Sequence, residues 1–104
     1  MRDVMVRPAA AADIESIADY TIERWGTRQA ATYIAALQAD IESLAEFSER
    51  YPLHQDTGLG LRSMISGHHV VFYLVEPSVV EIIRVLHENA DTSRNSMPTA
   101  RSPD

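Results

Sequence analysis

The chain has 104 residues, 45% of them hydrophobic, with nine arginines, no lysine, fifteen acidic residues and a net charge of −6. That length holds one domain, and the composition belongs to a globular fold with a buried core, not to a fibrous or unfolded chain. The acidity argues against a general nucleic-acid binder, which needs a basic surface to neutralise phosphates.

Arg2 to Arg7 alternates weakly and reads as a short strand. Pro8 ends it and suits the first turn of a helix, where a missing N–H costs nothing. Through Arg24 the pattern is helical. Ile14, Ile17, Ala18 and Thr21 form a stripe with Trp25 at its end, while Asp13, Glu15, Asp19 and Glu23 lie mostly off it. Gly26 stands where a helix C-cap needs a left-handed residue, and Thr27 is a good N-cap for a second helix. Ala30, Tyr33, Ile34, Leu37, Ile41, Leu44 and Ala45 then repeat at spacings of three and four over about five turns. So short a link makes the two helices an antiparallel hairpin.

Tyr51-Pro52 breaks the second helix, and His54 to Gly60 is a polar loop. Three strands follow: Leu61 to Ser66, His69 to Glu76, and Val79 to His87, with turns at Gly67-His68 and Pro77-Ser78. Turns this short force antiparallel neighbours. From Thr92 the chain is polar and aperiodic and is expected to be a disordered tail, which leaves residues 1–91 as the single domain. The fold class is α+β in the order β-α-α-β-β-β, a helical hairpin packed on a small, mainly antiparallel sheet. The first strand joins at an edge or beside the last.

The absence of cysteine removes disulfides and thiolate metal sites and suits a reducing cytoplasm. The start, MRDVMVRPAA, has no leader-like apolar run. The longest such run, Val70 to Val75, falls far short of the ~20 residues of a membrane span, so a soluble, cytoplasmic protein is expected.

Sorted by twos, the two long strands have two apolar faces. Val70, Phe72 and Leu74 oppose Val71, Tyr73 and Val75; Val80, Ile82, Arg84 and Leu86 oppose Glu81, Ile83, Val85 and His87. A sheet with one solvated face should alternate cleanly. One helical hairpin shields one face, so the other is expected to dock a protein partner.

The candidate chemistry is sparse. His54, His68, His69 and His87 lack metal-ligand spacing, and adjacent His68 and His69 point to opposite faces of a strand. No serine sits in a nucleophile elbow, and there is no phosphate-binding or dinucleotide loop. No metal and no cofactor are expected. One set has the residue types of a ribonuclease: Arg62, His69, Tyr73, Arg84 and His87 all come from the sheet. Arginine would stabilise a phosphorane, and His or Tyr would move protons. The period of two puts Arg84 and His87 on opposite faces, which tells against a common site.

Asp13-Ile14-Glu15-Ser16-Ile17-Ala18-Asp19-Tyr20 with Arg24-Trp25-Gly26, Gln29-Ala30, Tyr33 and Leu37 resembles the helical hairpin of ParE toxins. Gly60-Leu61-Arg62 and Gly67-His68-His69-Val70-Val71-Phe72-Tyr73 resemble the family's second and third strands. Glu81-Ile82-Ile83-Arg84-Val85-Leu86-His87 followed by Asp91 is similar to its closing strand. The resemblance covers residues 4 to 91 and implies the ParE branch of the RelE/ParE superfamily. It implies a bacterial, cytoplasmic toxin of a type II toxin–antitoxin module that inhibits DNA gyrase without catalysis. A ParD-type antitoxin would neutralise it in a hetero-oligomer, and no membrane or direct nucleic-acid contact is expected. Arg62, Tyr73, Arg84 and His87 are the candidate partner contacts, the arginines as charge-assisted anchors. Tyr20, Trp25 and Tyr33 read as hairpin packing.

Two alternatives stand beside this. The RelE branch shares the fold but cleaves mRNA on the ribosome, with basic and aromatic side chains across the sheet. Here His68-His69 replaces the basic residue expected after the turn glycine, and His87-Glu88 replaces a basic pair. That reading makes His69, Arg84 and His87 catalytic. The other is an attenuated toxin acting only in antitoxin binding and operon autoregulation. Ser48, where a proline often stands, and Ala90, where a larger apolar residue is usual, depart from the ParE pattern.

Overall fold

The computed structural model describes residues 1–53 and 60–90; His54 and the expected tail from Thr92 lie outside the described residues. The elements are β1 (Asp3–Val6), α1 (Pro8–Trp25), α2 (Thr27–Phe47), β2 (Arg62–Ser66), β3 (His69–Val75) and β4 (Val79–His87). The sheet order is β1-β4-β3-β2. β1 runs parallel to β4, and the other two pairs are antiparallel. The first strand is thus both an edge strand and the neighbour of the last.

Gly26 alone joins the helices. Its N–H bonds the Ile22 carbonyl at 2.9 Å, closing α1, and its own carbonyl accepts the Ala30 N–H at 3.1 Å, opening α2. It does both at φ 93°, ψ 167°, a conformation in practice restricted to glycine. Thr27, expected as an N-cap, is instead the first residue of α2, and no side chain caps that helix. One residue reverses the chain, so no separate cap position exists.

The main core lies between the hairpin and the sheet. Ile17, Leu37, Ile41 and Leu44 meet Met64, Val71, Tyr73, Val80, Ile82 and Val85. Tyr73 is wholly buried, and its hydroxyl donates to the Ser48 carbonyl at 2.8 Å. Burial pushes this phenol up to about 12. The Ser48 hydroxyl in turn accepts from Arg2 Nη1 at 3.1 Å. The residue just past α2 therefore ties that helix to both β1 and β3.

The expected two-residue sorting fails in β4. Phe72 stands opposite Arg84, but Tyr73 stands opposite Ile82, so Ile83 is the extra residue of a bulge. The bulge shifts the parity, so Ile82 and Val85 join the hairpin-side core while Ile83 and Leu86 face the other way. There they form a second cluster with Leu61 and Phe72, and Phe72 is only 3% exposed. The expectation of an open apolar face is corrected: the sheet has a small core on its second side as well. Leu61, immediately before β2, and Ala90, beyond β4, pack into that cluster. Residues flanking the strands supply cover that the count of helices did not foresee.

Candidate functional site

β3 begins and β4 ends at the same end of the sheet, which sets His69 directly opposite His87. Their rings meet edge to face with centroids 5.5 Å apart. Tyr33 of α2 closes the group, its ring 5.6 Å from His69. The Tyr33 oxygen accepts the His68 N–H at 2.9 Å, and of the two acceptors in reach of its own proton, His69 Nδ1 at 2.6 Å is far closer than the Ser66 carbonyl at 3.5 Å. A phenol proton donated to Nδ1 makes that nitrogen an acceptor, which fits a neutral His69. His87 Nδ1 likewise accepts the Asn89 N–H at 3.1 Å. His68 projects outward and pairs with Glu88 at 3.0 Å. No group of three or more potential metal ligands occurs among the described residues.

Burial holds the His69 imidazole below its ordinary pKa of 6.5, and the neighbouring His87 and then His68 add to the effect, while Glu88 opposes it. The fold therefore favours neutral His69. Its contribution to stability is complete above pH 6.5. It declines as pH falls from there toward the depressed folded value, where the unfolded chain takes up a proton that the folded chain refuses. We expect urea-unfolding curves to show a loss of stability as pH falls below about 6.5, with a slope no steeper than the ~1.4 kcal/mol per pH unit of one proton. His69→Gln should flatten that window. An unchanged profile in the variant would assign the loss to other groups.

The catalytic alternative required Arg84 beside these histidines. β1 pairs with β4 only as far as Ile82. Beyond it Asp13 of α1 takes the place of a strand partner, its Oδ2 accepting the Val85 N–H at 2.9 Å. The same carboxylate takes Arg84 Nε at 2.6 Å and Nη2 at 2.9 Å. Both side chains are 14% exposed. The Asp13 hydrogen bonds hold the Arg84 guanidinium above its usual pKa. Arg84 is thus a structural cation, and no hydrogen bond or ion pair links it to His69 or His87 among the described residues. Among the described residues, no arginine bonds to the histidine pair to hold a phosphate beside its proton-transfer groups.

Of the four expected partner contacts, Tyr73 lies in the core and Arg84 is tied to Asp13. His87 is exposed, and Arg62 is half-buried at the mouth of β2. Arg62 Nη1 donates to the Tyr51 carbonyl at 2.6 Å and approaches that of Glu49 at 3.4 Å. It lines an open groove of about 440 Å³, whose apolar side is Leu53, Val75 and Pro77. Tyr33 does pack within the molecule, as expected. Tyr20 and Trp25 do not: they are 61% and 59% exposed. Trp25 continues the buried stripe by spacing, but a Cβ added at adjoining Gly26 would meet nothing within 4 Å.

Residues 4–92 match the family described as ParE toxin of type II toxin-antitoxin system, parDE. The chain is 43% identical over 89 residues to Toxin ParE1 of Caulobacter vibrioides, covering 86% of this chain and 92% of that protein. It is 35% identical over 92 residues to Toxin ParE1 of Mycobacterium tuberculosis H37Rv, covering 88% and 94%. The fold is similar to a solved chain titled "Chromosomal ParDE TA system from P. aeruginosa", with a TM-score of 0.74 at 17% identity, covering 84% of this chain and 96% of that one.

Proposed function

The chain belongs to the ParE toxin family of type II toxin–antitoxin systems, and on that premise we propose that it arrests bacteria by inhibiting DNA gyrase, without catalysis, until a ParD-type antitoxin neutralises it. The observation that carries the non-catalytic part is the Asp13–Arg84 pair. Ribonucleolytic chemistry at the sheet needs a cation at the scissile phosphate. Arg84 is engaged by a carboxylate and held to α1. The acidity of the chain, −6 with no lysine, also opposes docking on ribosomal RNA. Among the described residues no helix is long and apolar enough to cross a membrane, and gyrase would be met in the cytoplasm.

In this reading Arg62 and exposed His87 are surface contacts for the partner, while Tyr73 in the core and part-buried Arg84 hold the sheet in shape. The test is a supercoiling assay with purified gyrase and the full chain, run beside a translation reaction with intact ribosomes. Loss of supercoiling with accumulation of cleaved DNA, and intact mRNA in the translation reaction, is the expected result. Active gyrase with cut mRNA would overturn the proposal and restore His69 and His87 as catalytic candidates.

A further inference from the structure

The sheet ends on β1 and on β2, and the chain treats the two edges differently. The β2 edge is covered where it begins: Leu53 bridges Arg62, and the Ser63 N–H donates to the Pro52 carbonyl at 3.1 Å. The β1 edge has no such cover. Asp3 and Arg7 donate their N–H groups inward, to the carbonyls of Ser78 and Ile82, both at 3.0 Å. A strand alternates, so Val4 and Val6 turn their N–H and C=O groups outward, where no backbone partner meets them among the described residues. Met5 and Val6 are 51% and 40% exposed. Open backbone of this kind invites another strand. The open stretch is closed at both ends. At Arg2 the N–H already goes to the Ala45 carbonyl of α2, at 2.9 Å. At Pro8 there is no N–H to offer.

An open edge accepts an extended segment, and the order of residues says which one. Asp3-Val4-Met5-Val6-Arg7 is complementary to its own reverse. Antiparallel pairing about Met5 sets Val4 against the partner's Val6 and Asp3 against the partner's Arg7. The valine pairs exchange their free N–H and C=O groups, and Met5 meets the partner's Met5 on the axis. The closed ends coincide as well, because Arg2 falls opposite the partner's Pro8. Asp3 is exposed, and its carboxylate has no hydrogen bond or ion pair among the described residues. Arg7 gives Nη1 to Glu81 at 2.8 Å, yet its side chain stays 54% exposed with other N–H groups free to reach across. Glu81 already balances Arg7, so these charges set the register and the backbone drives the pairing. A parallel register would oppose Asp3 to the partner's Asp3, which is unfavourable.

We propose that β1 is a self-association edge, on which two copies of this chain pair about a twofold axis through Met5 and join their sheets into one. One strand pair buries less than the ~1,200–2,000 Å² of a standard interface, so the dimer is weak and concentration-dependent. The inference goes beyond the toxin reading and needs neither gyrase nor antitoxin.

The test is sedimentation equilibrium of the full chain over a concentration series, with a reversible monomer–dimer equilibrium as the expected result. Val6→Pro removes an outward N–H and no bond to β4. It should weaken the dimer by about 10- to 100-fold, since each copy loses one backbone bond. The chain has no cysteine, so single replacements report the register directly. Met5→Cys should oxidise to a disulfide-linked dimer, because directly opposed residues of this kind have Cα atoms ~4.5 Å apart, within disulfide range. Val6→Cys should not link under the same conditions, because it faces the partner's Val4. Should Val6→Pro not fold, the two cysteine variants decide. A chain that stays monomeric up to ~1 mM would overturn the proposal. So would a dimer indifferent to Val6→Pro, or cysteine variants that link equally or not at all. A monomer whose Val4 and Val6 amides gain protection from hydrogen exchange only when antitoxin is added would assign the edge to that partner, and would overturn the proposal too.

Discussion

Asp13→Ala is expected to destabilise the protein by about 2–4 kcal/mol, somewhat less than the ~3–5 kcal/mol of a fully buried ion pair because both side chains keep some contact with water. Against a typical total of ~5–15 kcal/mol for a domain, that is enough to unfold much of the population. The cost has two sources. The Arg84 guanidinium, 14% exposed, loses both of its carboxylate bonds. The Val85 N–H loses its acceptor on the part of the β4 edge that β1 does not reach. Asp13→Asn keeps an acceptor for one of these donors but gives up the charge, so it should fall between wild type and alanine. Urea unfolding by circular dichroism measures the series. The double change Asp13→Leu with Arg84→Met should recover most of the loss, because two apolar side chains remove the stranded charge along with its partner. That variant also separates the two mechanisms. A gyrase inhibitor whose Arg84 only supports the fold should keep its activity once stability returns, whereas a ribonuclease that needs Arg84 should stay dead. An Asp13→Ala protein within 0.5 kcal/mol of wild type would show that the pair is exposed to water in solution and contributes little.

The same pair marks where the sequence stops being readable. The elements themselves were plain. Leu37, Ile41 and Leu44 recur at helical spacing, and β-branched runs between glycine and proline turns can be little else than antiparallel strands. Asp13 and Arg84, however, are separated by 71 positions. Asp13 looks like any other acid on an amphipathic helix, and Arg84 looks like an exposed anchor on an apolar strand. Only the place where β1 stops shows why they meet. The bulge at Ile83 is equally silent, because one inserted residue leaves no mark in composition. It moves Val85 to one side of the sheet and Leu86 to the other, and so creates the second cluster that the count of helices had made into an open face. The histidines were legible as residues but not as a pair with Tyr33, since that contact depends on how α2 lies over the β2–β3 turn. The resemblance named the family, but it could not show that its partner-contact candidates sit in different surroundings, Tyr73 in the core and Arg84 part-buried against Asp13.

That crossing of α2 over the turn sets up the other large effect. Gly67→Ala is expected to cost about 2–4 kcal/mol, from a left-handed backbone penalty of ~1–2 kcal/mol and the loss of one or two hydrogen bonds at ~0.5–1.5 kcal/mol each. Gly67 has φ +60°, and a Cβ there would lie 2.6 Å from the Tyr33 hydroxyl, 2.7 Å from Cε1 and 2.9 Å from Cζ. The ring must move, and its oxygen is what the His68 N–H donates to and what donates to His69 Nδ1. A displaced Tyr33 leaves that nitrogen without its donor, so part of the preference for neutral His69 should go with it and the acid-side loss of stability should become shallower. The effect of the methyl therefore depends on the ring. In a Tyr33→Ala background, Gly67→Ala should cost only the backbone part, ~1–2 kcal/mol, which gives the two positions a coupling energy of roughly 1 kcal/mol or more in a double-mutant cycle. Equal costs in both backgrounds would mean that the turn yields before the tyrosine does, and that the histidine pair is held by the strands alone.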